Sequence, residues 1–112
     1  MEFSKEQIEE LKQISPNLGM AEEGGYSYIL LKDHPLPAGC KPERMDLLLC
    51  PMPKGGYSSI LYFAQRPIGC MDRNWNGHAQ VLGRAWYSYS WKMKAGYTLL
   101  QMLQIHLNAL RK

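Results

Sequence analysis

The sequence has no long hydrophobic run, no closely paired cysteines and no glycine-rich nucleotide loop. Its apolar runs are about as short as the four residues of Leu47–Cys50, where a bilayer crossing needs about 20. The opening Met1-Glu2-Phe3-Ser4-Lys5-Glu6 has no apolar h-region, so no secretory signal is expected. Three cysteines, Cys40, Cys50 and Cys70, lie far apart. Without a secretory signal they argue against a disulfide framework, and a reducing cytoplasm is the expected compartment. C-x-x-C, H-x-x-x-H and H-x-x-E are all missing, so no metal site is expected. G-x-x-x-x-G-K-[ST] and G-x-G-x-x-G are missing too, and no cofactor is implied. A chain of 112 residues leaves room for one domain, 1–112, and excludes most full-size enzymes. Any chemistry it carries is expected to need a partner.

Charge is unevenly placed. Residues 1–23 hold six acids and two bases, whereas residues 24–112 hold eleven bases and four acids. A basic body behind an acidic leading segment suits an anionic partner, either nucleic acid or an acidic protein surface. An ordinary solvated surface accounts for the same count.

Local signals divide the chain into helix, strands, loop and helix. Ser4-Lys5-Glu6-Gln7 fits a capping box with Gln7 reaching back, and Phe3 and Ile8 take the positions of a hydrophobic staple. Ile8, Leu11 and Ile14 form a narrow stripe, and Pro16 ends the helix. Strands are expected at Tyr26–Leu31, Met45–Cys50 and Ser59–Ala64, with a fourth short one somewhere in Val81–Trp91. Met45–Cys50 suits a strand buried on both faces. His34–Gly39 reads as a proline-stiffened loop and residues 69–80 as an irregular one. Thr98-x-x-Gln101 then caps a helix carrying Leu99, Met102, Leu103, His106 and Leu110 at helical spacing. His106 reads as a packed core histidine. The expected fold is α+β, with helices on one face of an antiparallel meander of three to four strands.

One segment concentrates reactive side chains. Asn74–Lys92 holds Asn74, Asn76, His78, Arg84, Ser88, Ser90 and Lys92 among five aromatics. A serine nucleophile, a histidine or lysine base and an asparagine oxyanion donor make up the inventory of acyl transfer. The plainer reading is a strand whose aromatics, Trp86, Tyr87, Tyr89 and Trp91, cover a small core.

Two blocks of this sequence resemble the compact prokaryotic ubiquitin-conjugating-enzyme-like (UBC-like) proteins found with multi-ubiquitin-like proteins. Pro35-Leu36-Pro37-Ala38-Gly39, Asp46-Leu47-Leu48-Leu49 and Pro53-Lys54-Gly55-Gly56-Tyr57 are similar to that group's "LPxG … DLLL … PxGY" pattern. Gly83-Arg84-x-Trp86-x-x-Tyr89-Ser90 is similar to its "GRxWxxWS" block. The resemblance implies a minimal UBC-like fold: N-terminal helix, meander, active-site loop and C-terminal helix. It implies a role in moving a ubiquitin-like protein, with a ThiF-like activating enzyme and a JAB-type protease encoded nearby as further partners, and with no membrane. In the wider superfamily a His-Pro-Asn element precedes the catalytic cysteine by about ten residues, within the span of one domain. Here His78 stands ten residues before Ser88 and twelve before Ser90, the proline is missing, and no cysteine follows Cys70. The group's block usually continues Arg-His, where this chain has Trp91-Lys92.

An oxyester carrier is therefore the expected activity. Ser90, or Ser88 second, would accept the acyl group, with His78 or Lys92 as base. Asn76 or Asn74 would stabilise the oxyanion, and Arg84 and Trp86 would serve binding or structure, Arg84 by pairing with a carboxylate. Three other expectations compete. The chain is a non-catalytic docking module, or a nucleic-acid binder using Arg84, Lys92 and Lys94 beside aromatics, or a thiol enzyme using Cys70.

Overall fold

Ser4 opens the first helix as its sequence requires, but the capping box is only half made. Ser4 Oγ accepts from the Gln7 N–H at 3.2 Å, while the Gln7 side chain turns away and its Oε1 accepts from the Leu99 N–H at 3.1 Å. Gln7 thus caps the other helix instead of its own, and the two helices are joined at their N-termini. Phe3 and Ile8, the staple pair, pack against the main core. The computed structural model describes residues 3–112. Its elements are α1 (Lys5–Lys12), β1 (Leu18–Glu23), β2 (Tyr26–Pro35), β3 (Arg44–Cys50), β4 (Ile60–Phe63), β5 (Gly77–Val81), β6 (Arg84–Ser88) and α2 (Leu99–Asn108). The capping box of α2 is complete, with Thr98 and Gln101 exchanging both bonds.

The sheet is antiparallel in the order β1-β2-β3-β4-β6-β5, so six strands replace the expected three to four. The two extra strands have compositions that local propensity passes over. Leu18–Glu23 has neither an aromatic nor a β-branched residue, and Gly77–Val81 lies mostly in a stretch that reads as irregular loop. Each is instead folded back on a neighbour by a two-residue turn. Gly24 and Gly25 have φ of 61° and 85°, between the pair Glu23↔Tyr26. Leu82 and Gly83 have φ of 54° and 74°, between Val81↔Arg84. Positive φ at both central residues is the type I′ geometry, whose twist matches that of paired strands. β2 also runs further than expected. It passes a register shift between Leu31 and His34 and ends at Pro35, with His34 buried.

Alternation sorts the apolar residues into two cores. Ile29, Leu31, Leu47, Leu49, Leu61 and Phe63 face the helices and pack with Leu11, Leu99 and Leu103. Tyr28, Leu48, Cys50 and Tyr62 point the other way and pack with Val81 and Trp86. Leu47–Cys50 is accordingly buried on both faces, as its unbroken apolar run requires. The second core is covered by the β5–β6 hairpin. β6 is registered with β4 through the pair Phe63↔Tyr87. Arg84 reaches Asp46 of β3 at 2.9 Å, and the Leu82 N–H reaches the Glu23 carboxylate at 3.2 Å. These contacts tie the hairpin to β3 and to the end of β1, and the sheet is curled.

Candidate functional site

A cavity of ≈ 170 Å³ opens where the 54–57 turn, the start of β4, the ends of β5 and β6, and α2 meet. Gly55 and Gly56, with φ of 59° and 89°, let Lys54 and Tyr57 exchange backbone hydrogen bonds of 2.9 and 3.1 Å. That tight turn fixes two side chains on the cavity wall. Lys54 Nζ donates to the Tyr28 hydroxyl at 2.8 Å and lies about 5 Å from the rings of Tyr26, Tyr28 and Tyr62. Partial burial alone would lower its pKa, but hydrogen bonds to Tyr28 and Tyr62 outweigh that and push it up to about 12. The ammonium stays charged.

Tyr57 meets Ser90. Its hydroxyl donates to Ser90 Oγ at 3.0 Å, and Ser90 Oγ donates to Asn76 Oδ1 at 2.8 Å. The Ser90 N–H donates to the Asn74 carbonyl at 2.9 Å, so residues 74–76 wrap this serine. Ser88 lies deeper, against Gly77, where a Cβ would overlap its Oγ. Of the residues singled out from the sequence, Asn76, His78, Ser88 and Ser90 all border this one cavity.

His78 borders the cavity from an exposed position on β5, its ring 5.4 Å from that of Tyr87, and it makes no hydrogen bond to either serine among the described residues. Lys92, Trp86 and Arg84 lie apart from the cavity. Lys92 is exposed and does not line the cavity. Trp86 is fully buried in the second core and donates its indole N–H to the Val81 carbonyl at 3.0 Å. Arg84 stacks 4.4 Å above the Trp86 ring and pairs with Asp46, the carboxylate partner expected for a structural arginine. Asp46 is held below the usual carboxylate range, chiefly by the Asp33 N–H and also by Arg84.

Ser59, which the sequence does not mark out, and His106, buried as the packed core histidine expected, complete the floor. Ser59 Oγ and His106 Nε2 are 3.0 Å apart, and the residues are 2% and 3% exposed. Burial pushes His106 down to about 4, so its ring is neutral at pH 7 and one ring nitrogen is an acceptor. The Ser59 hydroxyl is also within donating distance of Met93 Sδ, a weak acceptor, at 3.4 Å. The backbone carbonyl of His106 accepts from the buried Tyr89 hydroxyl, which fixes the end of α2. Ser59 and His106 are 47 residues apart, and no local pattern links them.

All three cysteines are buried and unpaired. Cys40 and Cys70 belong to the helix-side core; burial, then a hydrogen bond to Cys70, pushes Cys40 up to about 12. Among the described residues no group of three or more histidines, cysteines and carboxylates is arranged to hold a metal ion. Among them, too, no helix is long and apolar enough to cross a membrane. No family model matches the chain, and no curated protein or solved structure matches it.

Proposed function

We propose that this chain is a minimal UBC-like carrier that works in the cytoplasm. It accepts the C-terminus of a ubiquitin-like protein from a ThiF-like activating enzyme, as an oxyester on Ser90, and passes it to a target. The observation that supports this reading is the Tyr57–Ser90 hydrogen bond of 3.0 Å. It joins the two sequence blocks that carry the family resemblance at one cavity, with Asn76 beside the same hydroxyl. In the transfer, Ser90 Oγ bonds to the acyl carbon and the bond to the activating enzyme breaks. The hydroxyl proton leaves to a base, for which His78, which lines the cavity, is the candidate. A well-aimed amide donor, here Asn76, contributes on the order of 3 kcal/mol to an oxyanion.

One observation favours a second reading. Ser90 gives its proton to an amide oxygen, and neither His78 nor Lys92 is hydrogen-bonded to it. A serine without a base is a weak nucleophile. That arrangement suits a non-catalytic module that docks a ubiquitin-like protein or its activating enzyme.

Incubation with a ubiquitin-like protein, a ThiF-like adenylating enzyme and ATP separates the two. The carrier gives a thiol-resistant, alkali-labile adduct that Ser90→Ala abolishes. An adduct that survives Ser90→Ala removes Ser90 from the role. Stable binding with no adduct supports the docking module.

A further inference from the structure

We propose that Ser59 and His106 are a nucleophile–base pair that hydrolyses small acyl esters. This goes beyond the conjugation reading and does not depend on it. A serine hydroxyl needs an adjacent base to attack a carbonyl, and hydrogen-bond reach between the two is the first geometric requirement. Ser59 Oγ and His106 Nε2 satisfy it at 3.0 Å. Ser90, the more exposed serine, has an amide oxygen at the corresponding distance.

Both residues sit on packed elements, which keeps such a pair in register. Ser59 directly precedes β4, where Ile60 pairs with Cys50, and the neighbouring Ser58 hydroxyl holds the Met93 carbonyl at 2.7 Å. His106 is in the last turn of α2, between the buried Leu103 and Ala109. The other neighbour of the Ser59 hydroxyl is a thioether, a weak acceptor, so the imidazole is its strong partner.

The pair also borders the cavity, which a purely structural tie between α2 and β4 would not require. Among the described residues no carboxylate lines that cavity, while Lys54, Tyr57 and Asn76 do. Such a wall suits a substrate that becomes an oxyanion. The volume of ≈ 170 Å³ limits the acyl group to a short one.

The reaction closes without a cofactor. Ser59 Oγ attacks the ester carbonyl carbon, and its proton passes to His106 Nε2. The carbon–oxygen bond to the alcohol breaks, and the alcohol leaves with that proton. Water then attacks the acyl-serine and gives a proton to His106. The acid departs, and the proton returns to Ser59.

The test uses the full chain with a fluorophosphonate probe and with p-nitrophenyl acetate. Peptide mapping by mass spectrometry is expected to place the phosphonyl group on Ser59, with loss of fluoride. Ester hydrolysis is expected to fall at least about a hundredfold in Ser59→Ala and in His106→Gln, the low end for loss of a general base. In folded Ser59→Cys, residue 59 is expected to take up iodoacetamide faster than the three native thiols, and more slowly once His106→Gln is added. A label on Ser90 or any other residue overturns the proposal. So does hydrolysis that is unchanged in both single variants, or alkylation at 59 that ignores His106.

Discussion

The Tyr57 hydroxyl donates to Ser90 Oγ across 3.0 Å, tying a two-glycine turn to the chain just beyond β6. The bond orients the one serine hydroxyl that also contacts Asn76. Tyr57→Phe removes it while keeping the ring. A net hydrogen bond is worth about 1 kcal/mol, so stability is expected to fall by about that much. If Ser90 is the acyl acceptor, its adduct is expected to form up to about tenfold more slowly, since about 1.4 kcal/mol is a factor of ten. Urea unfolding and a timed adduct assay read the two effects separately.

Mild acid is expected to destabilise the fold through His106. Burial lowers its folded-state value to about 4 from the ordinary 6.5. Between those values the unfolded chain binds the proton and the folded one does not, so stability is full above pH 6.5. It is lost as pH falls toward 4 and levels off below. The full difference is on the order of 3 kcal/mol. His34, lowered by burial and by Arg44, acts in the same direction. Urea midpoints measured from pH 7.5 to pH 4 are expected to fall in the wild type and less steeply in His106→Gln.

Leu82 occupies the first central position of the β5–β6 turn with φ of 54°. A left-handed conformation costs an ordinary L-residue about 1–2 kcal/mol, and asparagine tolerates it better. The side chain is 38% exposed, so little packing is lost on replacement. Leu82→Asn creates the preferred Asn-Gly turn and is expected to raise stability by about 1 kcal/mol, read as a higher thermal midpoint.

Gly77 lies against Ser88, whose Oγ occupies the place a methyl group would need. Gly77→Ala forces that hydroxyl aside and presses on the Ser88 carbonyl, 3.1 Å from the added carbon. Overpacking of this kind costs about 1–3 kcal/mol. Adding Ser88→Ala to Gly77→Ala is expected to recover part of the loss, because the overlapping atom is gone. Denaturant unfolding of the single and double variants measures the coupling.

The legible parts of the fold are those specified by neighbours in the chain. Thr98 and Gln101 are three residues apart and make the expected capping box. Ser4 caps Gln7, but the Gln7 side chain leaves for Leu99, a partner 92 residues away that outcompetes the local one. β1 escaped a reading by propensity because Gly24-Gly25 makes it a strand, and its own side chains contribute little. The candidate site divides in the same way. Asn76, His78, Ser88 and Ser90 are close in sequence, and they border one cavity. Tyr57 and Ser59 come from another part of the chain, and His106 reads as an ordinary member of an apolar stripe.

The sequence alone determined the two helices, their starts, the doubly buried strand at Leu47–Cys50 and the clustering of polar side chains between Asn74 and Ser90. These follow from capping, periodicity and apolar run length, which act over a few residues. Only the tertiary structure decided that the β5–β6 hairpin roofs a second core, with Arg84 on Asp46. It also decided that Ser90 faces Tyr57 and that Ser59 faces His106. Those partners are 33 to 47 residues apart. Their meeting depends on how the sheet curls and where α2 docks, and no local spacing encodes either.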